Sequence, residues 1–219
     1  PGKPAPEDIS EWLIKELEHV IIQNDPDTVA AIIAEPVSAA NGIHVPPKSY
    51  WEGLRRIADK YQVVLISDEV INGFGRLGEW FGAQCFGIQP DITTVAKGIT
   101  SGYAPLGAVI ATKKIADSFL GGQKEMFYHL ITFGGHPIST AAANANIEIF
   151  EEENLVENSK LMGNYLFEKL QELLKYSIVG DVRGGLGLLA AVEIVKDKES
   201  KEKFPMRKWV FEKSPNEML

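Results

Sequence analysis

Residues 65–76 read LISDEVINGFGR, and residues 93–109 read TTVAKGITSGYAPLGAV. In each, an apolar, β-branched run hands one charged residue to its far end. Val63-Val64-Leu65-Ile66 leads to Asp68, and Ile92-Thr93-Thr94-Val95 leads to Lys97. Short runs of this kind, bounded by turn residues, read as buried strands. In an open α/β sheet, ligands sit outside the carboxyl ends of the strands. An amine and a carboxylate delivered to that edge suit one chemistry well. The amine holds an aldehyde cofactor, pyridoxal phosphate, as an imine, and the acid keeps the cofactor's ring nitrogen protonated. Val70 lies two residues beyond Asp68, on the same side of an extended chain, where it would pack beneath the ring. Once released, the Lys97 amine is placed to move a proton as general base and acid.

Each of these residues also has a plainer reading. A lysine after an apolar strand is ordinarily a surface residue, and an aspartate at a strand end ordinarily forms a turn or caps a helix. Gly73-Phe74-Gly75-Arg76-Leu77-Gly78 fits the G-x-G-x-x-G spacing of a dinucleotide loop. However, no long helix clearly opens there, and no acidic residue ends the next strand as a ribose partner.

Outward from these two runs, the chain alternates β and α patterns. Residues 8–23 read as an amphipathic helix with Asp8 as N-cap and Ile9, Leu13, Leu17, Val20 and Ile21 on one face. Val29 to Ala34 read as a short buried strand ending at Glu35-Pro36. Ser49 and Glu52 form a capping box opening a helix to about Tyr61. A short helix is expected near 79–86, a strand over 106–111 and a helix over 113–119. This order predicts an α/β fold, a mostly parallel sheet flanked by helices. From Ser139 the texture changes to an alanine-rich helix, then a charged helix over about 155–174. Two β segments follow around Arg183-Gly184-Gly185-Leu186-Gly187. A boundary is expected near residue 150, with 1–150 as part of a large domain and 151–219 as the incomplete start of a small α+β domain.

The bulk numbers exclude several classes. A formal net charge of −8 without any basic cluster argues against a nucleic-acid surface. No apolar run reaches bilayer length. The lone Cys85 forbids an internal disulfide and fits a reducing, cytoplasmic setting. With 45% hydrophobic residues in 219, the chain suffices for one sizeable core.

Four blocks, AAIIAEPVSAANGIHVPP (30–47), LISDEVINGFGRLGEWFG (65–82), PDITTVAKGITSGYAPLGAV (90–109) and ITFGGHPISTAAANANIEIF (131–150), together resemble the class III aminotransferases. These are pyridoxal-phosphate enzymes of fold type I, many acting on ω-amino groups. The resemblance implies that Lys97 forms the imine, Asp68 faces the pyridine nitrogen and Val70 lies behind the ring. It implies that Thr132 binds the cofactor phosphate of a neighbouring subunit, hence a homodimer, and that Glu35 lies beside the cofactor-binding aspartate. His136 sits in the GHP block, where a packing role is favoured over a catalytic one. Members acting on ornithine or γ-aminobutyrate carry a second glutamate where this chain has Ala40. That points to amine or ω-amino-acid donors, with a keto acid, pyruvate foremost, as acceptor. Leu130 stands where the family has glycine. The family is about twice this length, so the resemblance also implies a fragment lacking an upstream phosphate cup and a downstream carboxylate-binding arginine, with little turnover alone. A racemase, aminomutase or decarboxylase on the same cofactor is the alternative within the family.

Overall fold

Why the sheet forms where it does is visible in the strand Val64–Asp68 and its neighbours. The computed structural model describes residues 9–204. Four strands, β1 (Ala31–Ala34), β2 (Val64–Asp68), β3 (Ile92–Val95) and β4 (Ala108–Ala111), lie in sequence order. β1–β2 and β2–β3 are parallel, as the β-α-β spacing predicts. β4 is antiparallel to β3, because no crossover helix separates them and the chain simply turns back. A second sheet pairs β5 (Val179–Leu186) with β6 (Leu189–Ile194) as a hairpin. Among the described residues, no helix is long and apolar enough to cross a membrane.

Helix α2 (Lys48–Tyr61) supplies the core. Trp51, Leu54, Ile57 and Ala58 are almost fully buried and pack with Leu65 of β2, Val37 and Phe86. The Trp51 indole Nε1 donates to the Pro36 carbonyl at 3.2 Å, so its one polar atom is satisfied. The expected Ser49–Glu52 capping box is absent. The helix starts two residues earlier, at Lys48, with Pro47 extended at the N-cap and no side-chain cap. A rigid proline just outside the helix fixes the start in its place.

Helix α1 (Ile9–Gln23) lies on α2. Its predicted face is corrected. Ser10, Ile14 and Ile21 are buried, whereas Ile9, Leu13 and Val20 are exposed. The stripe is rotated because Ile14 sits over Gly53 of α2, where any Cβ would collide with it. A helix with apolar residues on more than one stripe takes its orientation from the partner's notch. The proposed N-cap Asp8 lies outside the described residues.

The strand expected over Val29–Ala34 is shorter and is not buried. β1 is an edge strand of this sheet, and Ile33 is 61% exposed. The helix expected near 79–86 shrinks to α3 (Gly82–Cys85), since Phe74 N–H bonds Trp80 O (2.7 Å) and Gly75 N–H bonds Glu79 O (3.2 Å), which ties 79–80 to the glycine loop in a bend. Three further helices follow: α4 (Lys113–Asp117), α5 (Pro137–Glu152) and α6 (Leu155–Gln171). The segment after residue 150 packs back on the first half. Ser159 Oγ donates to Gly75 O at 2.6 Å, and Arg183 Nε donates to Gly42 O at 2.7 Å.

Asp91 ties three strands to α2. Its amide donates to Leu65 O (2.8 Å), its carbonyl accepts from Thr112 N–H (2.9 Å), and its Oδ2 accepts from Leu65 N–H (2.8 Å) and Arg55 Nη1 (2.9 Å). Partial burial pushes the carboxyl up, but the Leu65 amide and the Arg55 guanidinium outweigh it and hold it below the usual aspartate range. The folded state therefore binds this proton less readily than the unfolded chain. The stabilisation is present above the unfolded value and is lost as pH falls through the lowered one. Asp91→Asn is expected to flatten the acid limb of a stability–pH curve in urea; an acid limb unchanged from wild type would rule out this contribution.

Candidate active site

Alternation along β2 separates two sets of side chains. Leu65, Ser67 and Glu69 are buried on the core side, while Val64, Ile66, Asp68 and Val70 are half-buried on the other. Asp68 sits opposite Thr94 of β3. Its Oδ1 accepts from Val70 N–H (3.1 Å) and Thr94 Oγ1 (3.3 Å). The hydrogen bonds that Asp68 receives from the described residues all fall on Oδ1, which orients the carboxylate and leaves Oδ2 for another donor.

β3 ends at Val95. Ala96 is extended, and Lys97 opens a tight turn, Lys97–Ile99, with φ of 44°. Left-handed backbone at a lysine costs about 1–2 kcal/mol, and such strain concentrates at functional sites. Gly98 follows because a Cβ there would come 2.9 Å from Phe74 Cβ. Lys97 is exposed and lines a cleft of 490 Å³ with Arg76, Ser101, Gly102, Phe74 and Phe150. The residues lining this cleft include two cations and no acid.

The structure thus brings Lys97 and Asp68 to the carboxyl ends of adjacent parallel strands. Asp68 and Val70 do not line the Lys97 cleft. Glu35 ends β1, but its Oε2 accepts from Ala39 N–H at 3.2 Å, and it lines a separate cavity of 410 Å³ with His44 and Tyr50. Thr132 lies exposed in a turn and is likewise outside the Lys97 cleft. His136 caps α5: its Nδ1 accepts from Ser139 N–H at 3.4 Å, and its ring meets Phe133 edge-on at 5.8 Å. That is the packing role favoured from sequence. For pyridoxal phosphate, an exposed amine and a carboxylate with one free oxygen suit the aldehyde and the ring nitrogen.

Two supporting residues escaped the sequence reading. Glu69 is 1% exposed. Its Oε1 accepts from Ser67 Oγ (3.1 Å) and Ala83 N–H (2.8 Å), and its Oε2 accepts from Gly82 N–H (2.7 Å). Burial pushes this carboxyl up from its usual value, and the Ala83 and Gly82 amides and the Ser67 hydroxyl pull it part of the way back. It pins the end of β2 to the start of α3. The signal was legible: two adjacent acids on a strand must face opposite ways, so one needs buried donors. Asn146 on α5 donates to the carbonyls of the turn that follows Lys97. Nothing local in the alanine-rich helix announced that contact.

The chain is similar to known proteins over most of its length. The family model described as Aminotransferase class-III matches residues 3–213. A taurine–pyruvate aminotransferase of Bilophila wadsworthia is 49% identical over 199 residues, 89% of this chain and 43% of the relative. A putrescine–pyruvate aminotransferase of Pseudomonas aeruginosa is 43% identical over 204 residues, 93% of this chain and 44% of the relative. The chain therefore spans less than half the length of these curated relatives. The crystal structure of a thermostable (S)-enantioselective omega-transaminase from Thermomicrobium roseum superposes with a TM-score of 0.87 at 46% identity, covering 92% of this chain and 44% of that one.

Proposed function

The chain belongs to the class III aminotransferases, and on that premise we propose that it serves transfer of an amino group from an amine or ω-amino acid to a keto acid, pyruvate foremost. The observation that carries this reading is the register of β2 and β3, which sends Asp68 and Lys97 off neighbouring parallel strands at their carboxyl ends. Pyridoxal phosphate, when bound, supplies an aldehyde that takes the amino group and a ring that withdraws electrons from the carbon losing its proton. Lys97 would hold it covalently, Asp68 would keep its ring nitrogen protonated, and Val70 would pack beneath it. Glu35 would stiffen the neighbouring turn rather than react, since its carboxylate is engaged by Ala39. The Lys97 Nζ, an exposed amine at this edge, would serve as general base toward the substrate carbon and then as general acid, giving up the same proton.

The names of the relatives favour a taurine- or putrescine-like donor with pyruvate over an aminomutase, racemase or decarboxylase outcome. Ala40, in place of a second glutamate, supports the same donor class. We read Thr132 as a phosphate ligand for a second copy of the chain. The exposed apolar run around it, with Phe127, Leu130, Ile131 and Phe133 all more than half exposed, supports a homodimer contact there. The same reading takes the segment from residue 151 as the opening of a second domain and sets the protein in the cytoplasm, as its single cysteine suggests.

The test has two parts. Pyridoxal phosphate followed by borohydride is expected to mark Lys97 in a peptide map, and a map with Lys97 bare overturns the assignment. With taurine or putrescine and pyruvate, the protein is expected to yield alanine. Absence of alanine with every amine donor tried would remove the transfer reaction while leaving the lysine assignment standing.

A further inference from the structure

We infer that Asn146 is a positioning residue for Lys97: from a helix nearly fifty residues downstream, it clamps the turn that aims the lysine side chain. The inference rests on the reading of Lys97 as the cofactor-holding amine. Three hydrogen bonds carry it. Asn146 Nδ2 donates to Gly98 O at 2.9 Å and to Ile99 O at 3.1 Å, and Asn146 Oδ1 accepts from Ser101 Oγ at 2.7 Å. The amide thus uses both its donor group and its acceptor on three of the four residues directly after Lys97: Gly98, Ile99 and Ser101.

The turn needs such a clamp. Within six residues it holds Lys97 at φ 44°, Ser101 at φ 49° and Gly102 at φ 81°. Two of these are not glycine, and each such residue costs on the order of 1–3 kcal/mol unless the surroundings impose it. The local bonds are tight-turn ones, Ile99 N–H to Ala96 O (3.1 Å), Thr100 N–H to Lys97 O (3.3 Å), Ser101 N–H to Gly98 O (3.2 Å) and Tyr103 N–H to Thr100 O (3.0 Å), together with Thr100 Oγ1 to Ala104 O (2.6 Å). None of these ties the turn to another helix. Packing reaches it from two sides: Phe74 against Gly98, and Ala143 of α5 in the same buried cluster as Ile99. Hydrophobic contact sets distance but leaves rotation of the turn free. The directional amide fixes that rotation, and with it the direction in which the Lys97 side chain leaves the strand. Asparagine suits the place because it presents a donor group and an acceptor in one plane. Aspartate would set a negative oxygen against two carbonyls.

The experiment is trapping in the full chain, which reads the lysine without requiring turnover. Wild type, Asn146→Ala and Ser101→Ala are treated with pyridoxal phosphate and cyanoborohydride. The initial rate of modification at Lys97 is then measured by mass spectrometry relative to the exposed Lys113 and Lys124. Asn146→Ala is expected to slow the Lys97 rate about tenfold against those reference lysines. Ser101→Ala, which leaves both carbonyl bonds in place, is expected to slow it two- to threefold, and it keeps the test decisive if the first variant folds poorly. A lowered unfolding midpoint with an unchanged Lys97 ratio in both variants would mean that Asn146 only holds the fold, and would overturn the proposal. If wild type itself shows no preference for Lys97, the cofactor reading falls and this proposal falls with it.

Discussion

Lys97→Ala is expected to abolish covalent attachment of pyridoxal phosphate and to lower the proposed amino transfer by at least about 10²–10⁴-fold, the range of a lost general acid–base group. Lys97→Arg is expected to fail as well, because a guanidinium keeps the charge but neither attaches to the aldehyde nor gives up a proton near neutral pH. The fold should be indifferent to the alanine change. Lys97 is exposed, and no ion pair holds it among the described residues. Its left-handed φ of 44° adds a sharper expectation. Lys97→Gly should unfold at higher denaturant than Lys97→Ala by about 1 kcal/mol, since glycine adopts that backbone without penalty. A strained lysine where glycine would be easier supports the proposed role of Lys97. Equal stability of the two variants would contradict the strain, and retained trapping in either would contradict the assignment.

Gly163→Ala is expected to destabilise the chain by about 3 kcal/mol, at the upper end for overpacking, and to disturb the Lys97 cleft from a distance. Gly163 lies on α6, and a Cβ there would fall on the backbone of Gly187, in the turn between β5 and β6. Gly187 has no room either: its own Cβ would strike Leu77, Gly78 and the Arg76 carbonyl. The turn is therefore threaded between the helix and the glycine loop 73–78, and Leu188 N–H bonds Arg76 O at 3.0 Å. Backbone cannot step aside as a flexible side chain can, so α6 and the loop must part. Arg76 and Phe74 line the cleft beside Lys97, which makes slower trapping at Lys97 the second expected effect. Chemical denaturation and the trapping rate together check this. A Gly163→Ala chain as stable as wild type would show that the close approach relaxes at no cost.

The predicted and observed structures diverge in a consistent way. The apolar runs before Asp68 and Lys97 became strands because β-branched residues fit a pleated, covered surface, and parallel pairing followed from the helix between β1 and β2. The four class III blocks marked the family, because each is a run of neighbouring residues that can be read without the fold. The apolar stripe of α1 was misjudged because a helix rotates toward its partner's notch, and Gly53 is that notch. The Ser49–Glu52 box failed because Pro47 set the helix start.

The alternation of strand and helix along the chain, the identity of the charged residues at the strand ends and the family itself were legible in the string of residues, since each depends on neighbours within one strand, one turn or one block. The orientation of Asp68 by Thr94, the burial of Glu69 against Gly82 and Ala83, and the grip of Asn146 on residues 98–101 were decided only by the folded chain. Hydrogen bonds and close backbone approaches between segments far apart in sequence depend on angles and distances of a few tenths of an ångström. No periodicity encodes these, and they exist only once the layers have packed.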